Sequence, residues 1–130
     1  MCHRLLLVLP FFFVFFSSLS EICEGQGTYV VITNGLGPNI DLTLHCNFKE
    51  KDLGVQVLHH NETFGFRFKP NVLDTKLLFC SFQWGQSDLH SFDIYKTEDK
   101  CLYCQWRITT AGPCFFNQDT SLYDICYQWK

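Results

Sequence analysis

Apolar residues recur at every second position along much of the chain, which is the period of a β-strand with one buried face. The most apolar of these stretches is Lys76–Gly85, where Leu78, Cys80, Phe82 and Trp84 share one face. This stretch is too apolar for a strand that faces solvent and too short to span a membrane. It is therefore predicted to be a central strand of a two-layer β fold, with a half-cystine at its middle.

The same alternation continues on both sides of this stretch. It is cleanest in residues 40–46, and a shorter pattern places Val55 and Val57 on one face with Gln56 on the other. Turn-forming residues separate the segments at intervals of roughly ten residues, and no segment has the 3.6-residue period of a helix. The sequence thus predicts an all-β fold, a small antiparallel β-sandwich of about eight strands. The main strand patterns cover residues 28–33, 40–46, 55–59, 64–68, 77–85, 90–95, 104–109 and 122–129.

The first 20 residues have the composition of a secretory signal peptide. Arg4 supplies a positive charge, Leu5–Phe16 is an apolar run, and small residues end at Ser20. As a helix, this run is much shorter than the ~30 Å hydrocarbon core of a bilayer, so it is not predicted to span a membrane. We expect cleavage after Ser20 or as late as residue 25, which leaves one secreted domain over residues 26–130.

The charge balance argues against a nucleic-acid partner. The chain carries 10 lysines and arginines against 13 acidic residues, a formal net charge of −3. No basic patch dominates the sequence, whereas proteins that bind nucleic acid through its phosphates need one.

Eight cysteines are present, and six of them lie between positions 46 and 126. An even number of cysteines in a chain bound for an oxidising compartment indicates disulfides, so the sandwich is predicted to be disulfide-stabilised. Cys2 is lost with the signal peptide, and the fate of Cys23 depends on the cleavage position. Six cysteines allow 15 pairings, and the spacing selects none of them. The predicted half-cystines are Cys46, Cys80, Cys101, Cys104, Cys114 and Cys126.

The pair Cys101 and Cys104 has the Cys-X-X-Cys spacing, which also occurs in redox and zinc sites. A thioredoxin-like site needs a helix N-terminus to lower the thiolate pKa, but a strand pattern follows Cys104. A structural zinc site needs four ligands, and the separation of Cys114 from Cys126 fits no common zinc spacing. A disulfide is favoured over both alternatives. The sequence has no nucleophile elbow or phosphate-binding loop, so we predict neither an enzyme nor a cofactor or metal site.

Eight short segments together carry a family resemblance that covers about residues 28–129. The matching segments are Asp41–Cys46, Lys51–Val55, Thr63–Phe68, Leu78–Trp84, Phe92–Tyr95, Cys104–Trp106, Gly112–Cys114 and Tyr123–Cys126. In these segments and their order, the chain resembles the plant self-incompatibility S1 family, the S-protein homologues.

The resemblance implies a small secreted β-sandwich that acts as an extracellular protein ligand rather than an enzyme. Members of the self-incompatibility type are secreted by the pistil, and their contact with a pollen-surface partner arrests self pollen. The resemblance also implies recognition determinants in the loops between strands, and half-cystine roles at five positions. The five positions are Cys46, Cys80, Cys104, Cys114 and Cys126.

From the residues and the resemblance together, we expect a monomeric signalling ligand that binds a membrane receptor protein on another cell. One such role is the rejection of self pollen. Charged loop residues are the candidate contacts, because a rigid scaffold commonly carries recognition in its loops. The alternative is a lectin-like module that binds cell-wall carbohydrate through exposed aromatic residues such as Tyr103 or Trp129. The candidate loop residues are Lys49, Glu50, Lys51, Asp52, Asp88, Glu98 and Asp99.

Asn61-Glu62-Thr63 is a sequon for N-glycosylation between two predicted strands, where a surface loop is expected. The secreted protein should therefore carry a glycan on Asn61, and Asn61→Gln should remove it. Intact-mass measurement of the two secreted proteins checks this. A mass difference no larger than the substitution itself would contradict the prediction.

Overall fold

A computed structural model describes residues 27–49, 51–69, 77–96 and 101–129. These residues form nine strands, and they contain no helix that is long and apolar enough to cross a membrane. The predicted signal peptide and Cys23 lie outside the described residues. The strands are β1 (Thr28–Asn34), β2 (Leu42–Phe48), β3 (Lys51–Leu58), β4 (Thr63–Phe68), β5 (Leu77–Gln83), β6 (His90–Lys96), β7 (Tyr103–Ile108), β8 (Pro113–Asn117) and β9 (Leu122–Cys126).

The strands form two sheets that enclose one core. One sheet has five strands in the order β4-β1-β7-β8-β9, and the other has four in the order β3-β2-β5-β6. The predicted all-β, disulfide-stabilised sandwich is confirmed. All strand pairings in the described residues are antiparallel except that of β1 with β7, which is parallel. This pair joins strands that are distant in sequence, so no local pattern indicates it.

The most apolar of the predicted strands forms β5, which lies between β2 and β6 in the four-stranded sheet. Its buried and exposed positions alternate as predicted, with Leu78, Cys80 and Phe82 fully buried. Cys80 lies directly opposite Cys46 of β2, and the two form a disulfide with a Cα–Cα distance of 4.0 Å. The link joins the two central strands of the sheet inside the core.

Two further disulfides belong to the five-stranded sheet. Cys114 and Cys126 lie opposite each other on β8 and β9 and are linked. Cys101 and Cys104 are linked where β7 begins, so the Cys-X-X-Cys segment is a disulfide in this structure. The structure thus contains one of the 15 pairings that six cysteines allow.

The core consists of the inward faces of both sheets. Phe68 and Trp106 are almost fully buried at its borders, and smaller apolar side chains fill its centre. Burial of apolar surface, at ~25 cal/mol per Å², is the main favourable contribution to folding. The fully buried aliphatic and phenylalanine side chains are Val30, Ile32, Leu42, Leu44, Leu78, Phe82, Ile94 and Ile108.

The edge strand β3 shows that alternation alone does not tell which face of a strand is buried. Val55 and Val57 share one face as expected, but that face is exposed, with 60% and 55% of their surface accessible. Leu58 pairs with Leu42 and occupies the inner position, so alternation along the strand directs Val57 and Val55 outward. The structure also has one strand more than the expected number of about eight, because Pro113–Asn117 is a short strand of its own.

A buried asparagine connects three segments at one end of the sandwich. Asn34, at the end of β1, is fully buried, and its amide group donates to the carbonyl oxygens of Ile40 (2.7 Å) and Leu58 (2.8 Å). Its side-chain oxygen accepts a hydrogen bond from the Leu36 amide at 2.9 Å. The sequence predicted only that a strand ends here. The side chain also fixes the β1–β2 connection against the end of β3.

Replacement of this asparagine by alanine should destabilise the fold. Asn34→Ala leaves two buried backbone groups and one partly buried group without their partner, and each buried group costs about 1–3 kcal/mol. We expect a loss of about 3 kcal/mol in the free energy of unfolding, measured by denaturant titration. Asn47→Ala, on the outer face of β2, is the matched control and should change stability by less than about 0.5 kcal/mol. Equal losses in the two variants would contradict the role of Asn34.

Candidate functional site

The turns that carry the predicted recognition residues lie at opposite ends of the sandwich. Phe48, at the end of β2, lies opposite Leu78 near the start of β5, whereas Thr43 lies opposite Gln83 at the end of β5. The β2–β3 turn is therefore at the end of the sheet where β5 begins. The β5–β6 turn is at the other end.

The candidate loop residues consequently do not form one cluster. Lys49 is an exposed turn residue with a φ of 56°, and Asp88 is exposed in the opposite turn. Lys51 and Asp52 were predicted in a turn, but they begin β3, because the hairpin is paired as far as Phe48 with Lys51. The remaining candidates lie outside the described residues: Glu50, Glu98 and Asp99.

The hairpin of β2 and β3 carries a compact charged group on its outer face. His45 Nε2 and Asp52 Oδ1 are 2.6 Å apart, and the Gly54 amide donates to the same carboxylate oxygen at 2.7 Å. These two contacts hold the pKa of Asp52 below its ordinary value, and the hydrogen bond from Gly54 is the larger cause. Asp52 therefore stays ionised at the surface in mildly acidic solution.

A second histidine–aspartate pair lies at the opposite end of the same hairpin. His59 Nδ1 is 2.8 Å from Asp41 Oδ1, and the His59 amide donates to Glu62 Oε1 at 2.7 Å. The hydrogen bond to Asp41 and the negative charges of Asp41 and Glu62 raise the pKa of His59 above its ordinary value of 6.5. No cluster of metal-ligating side chains is found among the described residues.

The predicted glycosylation site lies in the turn between β3 and β4. Asn61 is exposed, has a φ of 67°, and lies two residues before the strand that begins at Thr63. Arg107 Nη2 donates to Asn61 Oδ1 at 3.1 Å, which orients the side chain from the neighbouring β7. An exposed turn is the environment in which this modification is accepted.

The outer face of the five-stranded sheet carries aromatic residues in register. Tyr29 and Tyr103 pair across β1 and β7, and their rings stack with centroids 5.7 Å apart and an interplanar angle of 2°. The Arg67 guanidinium lies 4.9 Å from the centre of the Tyr29 ring. Tyr103 is half-exposed, as the carbohydrate-binding alternative requires. The sequence did not single out Tyr29 and Arg67, because only the register of three strands brings them together.

Trp129, the other aromatic residue of that alternative, has a different environment. Its ring packs against Phe82 and stacks on His90 at 4.9 Å, and its Nε1 donates to the Thr109 carbonyl at 3.3 Å. His90 also stacks on Trp84. Trp129 therefore closes one end of the core rather than presenting a free face.

Two concave surfaces lie along the edge strand β6. A recess of about 320 Å³ opens between β6 and the five-stranded sheet, lined by Phe92, Trp106, Phe115 and Tyr127 and by the linked Cys101. A smaller recess of about 230 Å³ lies on the outer side of the same strand. The sequence could not predict the larger recess, because it forms where strands that are far apart in the chain meet.

The fold and these surfaces define a small, disulfide-linked, all-β domain with exposed charged and aromatic faces. The family model described as Plant self-incompatibility protein S1 matches residues 29–129, and the chain belongs to this family. The resemblance found in the sequence is confirmed over nearly the whole of the described region.

Curated relatives from Arabidopsis thaliana agree with this assignment. S-protein homolog 2 is 38% identical over 122 residues, which cover 88% of this chain and 75% of the relative. S-protein homolog 5 is 39% identical over 108 residues, covering 81% and 80% of the two chains. S-protein homolog 19 is 37% identical over 123 residues, covering 92% and 87%.

One solved structure shares the fold. It superposes with a TM-score of 0.63 at 21% sequence identity, covering 82% of this chain and 97% of that chain. It represents the self-incompatibility protein homologues, described as a widespread family of small, highly stable, secreted proteins from plants. That description of the family agrees with the predicted secreted location.

The ion pair of His59 gives a direct prediction for its titration. By NMR, His59 should titrate above 6.5 in the wild type, and Asp41→Asn should lower its pKa towards that value. Because the folded-state pKa is raised, the stabilisation from this pair is complete below the unfolded-state pKa and is lost as pH rises through the folded-state pKa.

Glu62→Gln is the matched control for this titration, since it removes a charge but keeps an acceptor for the His59 amide. It should lower the pKa of His59 by less than Asp41→Asn does, because the hydrogen bond to Asp41 is the largest cause of the shift. A His59 pKa that is unchanged in Asp41→Asn would show that the pair does not form in solution.

Proposed function

We propose that this S-protein homologue is an extracellular recognition ligand. Residues 1–20 direct it out of the cell, and it then binds, as a monomer, a membrane protein on another cell. Rejection of self pollen by the pistil is one role of this kind. Membership of a family of secreted plant proteins supports the extracellular part of the proposal.

The observation that carries the proposal is the anchoring of the charged hairpin end. Cys46 lies two residues before the end of β2, and its disulfide to Cys80 ties this hairpin to the central strand. The charged groups beyond it, Lys51 and the His45–Asp52 pair, are exposed on paired strands. A disulfide typically stabilises the fold by about 2–4 kcal/mol by restricting the unfolded chain.

Such anchoring favours binding for a physical reason. Ordering of side chains and loops opposes association, so a surface that is already rigid loses less entropy when a partner binds. Complementary charge then increases the association rate and discriminates between partners. Alternating charges at the end of a stiff hairpin are therefore suited to specific recognition of another protein surface.

Carbohydrate binding is a second candidate, favoured by the stacked pair of Tyr29 and Tyr103. The exposed Tyr103 offers a ring on which a sugar could stack, while Arg67 next to Tyr29 supplies hydrogen-bond donors. Under this candidate, Tyr103→Ala would abolish binding to a glycan array and charge reversal at the hairpin would not.

Charge reversal at the two ends of the sandwich tests the ligand proposal. Labelled protein is bound to intact pollen and other plant cells, and the half-saturating concentration is measured by flow cytometry. Asp52→Lys should raise that concentration at least about tenfold, a loss of about 1.4 kcal/mol, because it reverses the charge at the anchored end. Asp88→Lys makes the same charge change at the opposite end and should alter it less than about twofold.

Two results would count against the proposal. Equal losses in both variants would indicate attraction by net charge rather than recognition by the hairpin. Saturable binding that survives protease treatment of the cells and disappears in Tyr103→Ala would identify a carbohydrate partner instead.

A further inference from the structure

The edge strand β6 has one open side. It pairs only with β5 in the part of the chain that the structure describes, since the four-stranded sheet ends with it. The backbone groups on its other side therefore point away from the sheet. An unpaired edge of this kind is a template for another strand, and proteins that do not use it usually obstruct it.

The obstructing features of β6 are confined to its C-terminal end. The regular pairing with β5 is interrupted opposite Leu78 and Phe79, and the strand ends at the exposed Lys96. Both a β-bulge and a terminal lysine protect edges against unwanted pairing. The segment His90–Asp93 before them is regular, with each residue opposite one residue of β5.

Two recesses lie on opposite faces of this open edge. Phe92 points towards the core and lines the recess of about 320 Å³ between the sheets. Phe79 and Ser91 line the recess of about 230 Å³ on the outer face, and Phe92, Asp93 and Lys96 border both recesses. Successive side chains of any β-strand point to opposite faces of its sheet, so neighbouring side chains of one added strand would enter the two recesses.

The inner recess is built for a large apolar side chain. Phe92 meets Trp106 edge-on at 5.4 Å, Tyr127 lies 5.5 Å from Phe92, and Phe115 packs on Trp106 at 4.9 Å. Trp106 is 6% exposed, and its indole N–H is buried without a hydrogen-bond partner. The part of the recess beside Phe92 is therefore formed by aromatic rings, which suit a large apolar side chain.

The outer recess differs in chemistry. Ser91 and Asp93 line it together with the rings of Phe79 and Phe92 and with Lys96 at the end of the strand, so it combines a hydroxyl, a carboxylate, an ammonium group and an apolar surface. The carboxylate favours a basic side chain, whose aliphatic stem can lie on the phenylalanine ring.

We propose that β6 binds an extended segment of a partner protein by strand addition, with backbone hydrogen bonds to the open edge. The residue beside Phe92 is large and apolar and enters the inner recess. The residue that follows or precedes it is basic and lies beside Asp93. This mode combines affinity from the backbone with specificity from alternate side chains. The inference rests on the proposed role as a recognition ligand, because it specifies how a protein partner is held.

Synthetic peptides test the mode of binding without knowledge of the partner. The probe is a library of capped heptapeptides with leucine, phenylalanine or tryptophan at the centre, lysine on one side and threonine elsewhere. At least one member should bind the full mature protein and perturb the NMR signals of β6 amides. The backbone amides of a bound strand fall into two alternating sets, of which only one faces β6. N-methylation of that set should abolish binding, and N-methylation of the other set should leave it unchanged.

Protein variants test the two recesses separately. Tyr127→Ala and Phe79→Ser should each weaken binding of the selected peptide about tenfold or more, and exchange of its lysine for glutamate should do the same. Val57→Ser, at an exposed apolar position on the far edge strand, is the control and should change affinity less than about twofold. Thermal unfolding of each variant verifies that it is folded.

Several results would overturn the inference. These are the absence of binding by every library member at millimolar peptide, binding that tolerates both N-methylation sets, and perturbed amides that map to another face. Concentration-dependent dimers that Phe79→Ser abolishes would identify a second copy of this chain as the occupant. Cell binding that is lost in Asp52→Lys but unaffected by Phe79→Ser would reject this edge while leaving the recognition role intact.

Discussion

The register of β2 against β5 is the constraint on which the rest of the sandwich depends. Because side chains alternate with a period of two, a slip by one residue would move Leu78 and Phe82 from the core to solvent. The disulfide of Cys46 with Cys80 is compatible only with the observed pairing, since it links two residues that lie directly opposite each other. Hydrophobic burial and the covalent link therefore specify the same register. The edge strands β3 and β6 pair with β2 and β5, so their positions depend on that register as well.

The two ends of the fold are held by different interactions. At one end the disulfide lies close to the β2–β3 turn, so the charged hairpin moves with the core. At the other end the Asn34 side chain donates hydrogen bonds to the carbonyl oxygens of Ile40, just before β2, and of Leu58, the last residue of β3. Buried polar groups need such partners. His90 and Trp129 stack nearby and cover Phe82. Each end is thus stabilised by contacts between residues far apart in sequence.

Local alternation was sufficient to predict the fold class and every described strand except β8, because burial of one face has a direct sequence signature. It could not predict orientation where both faces carry apolar residues: it places Val55 and Val57 on one face but does not show that this face is solvent-exposed. It identified Tyr103 as an exposed aromatic residue but not the stack with Tyr29, which depends on a parallel pairing. The larger recess beside β6 could not be predicted for the same reason, since its walls come from both sheets.

The charged hairpin of β2 and β3 and the open edge of β6 belong to the same four-stranded sheet, so one partner could contact both. Three strand spacings of about 4.8 Å separate β3 from β6, so the two features are about 14 Å apart across the sheet. A single protein interface of ordinary size spans that distance. A partner that added a strand to β6 would therefore lie within reach of the hairpin through the outer face of this sheet. Strand addition would fix the orientation of the partner, and the charges of the hairpin would then select among partners held in that one orientation.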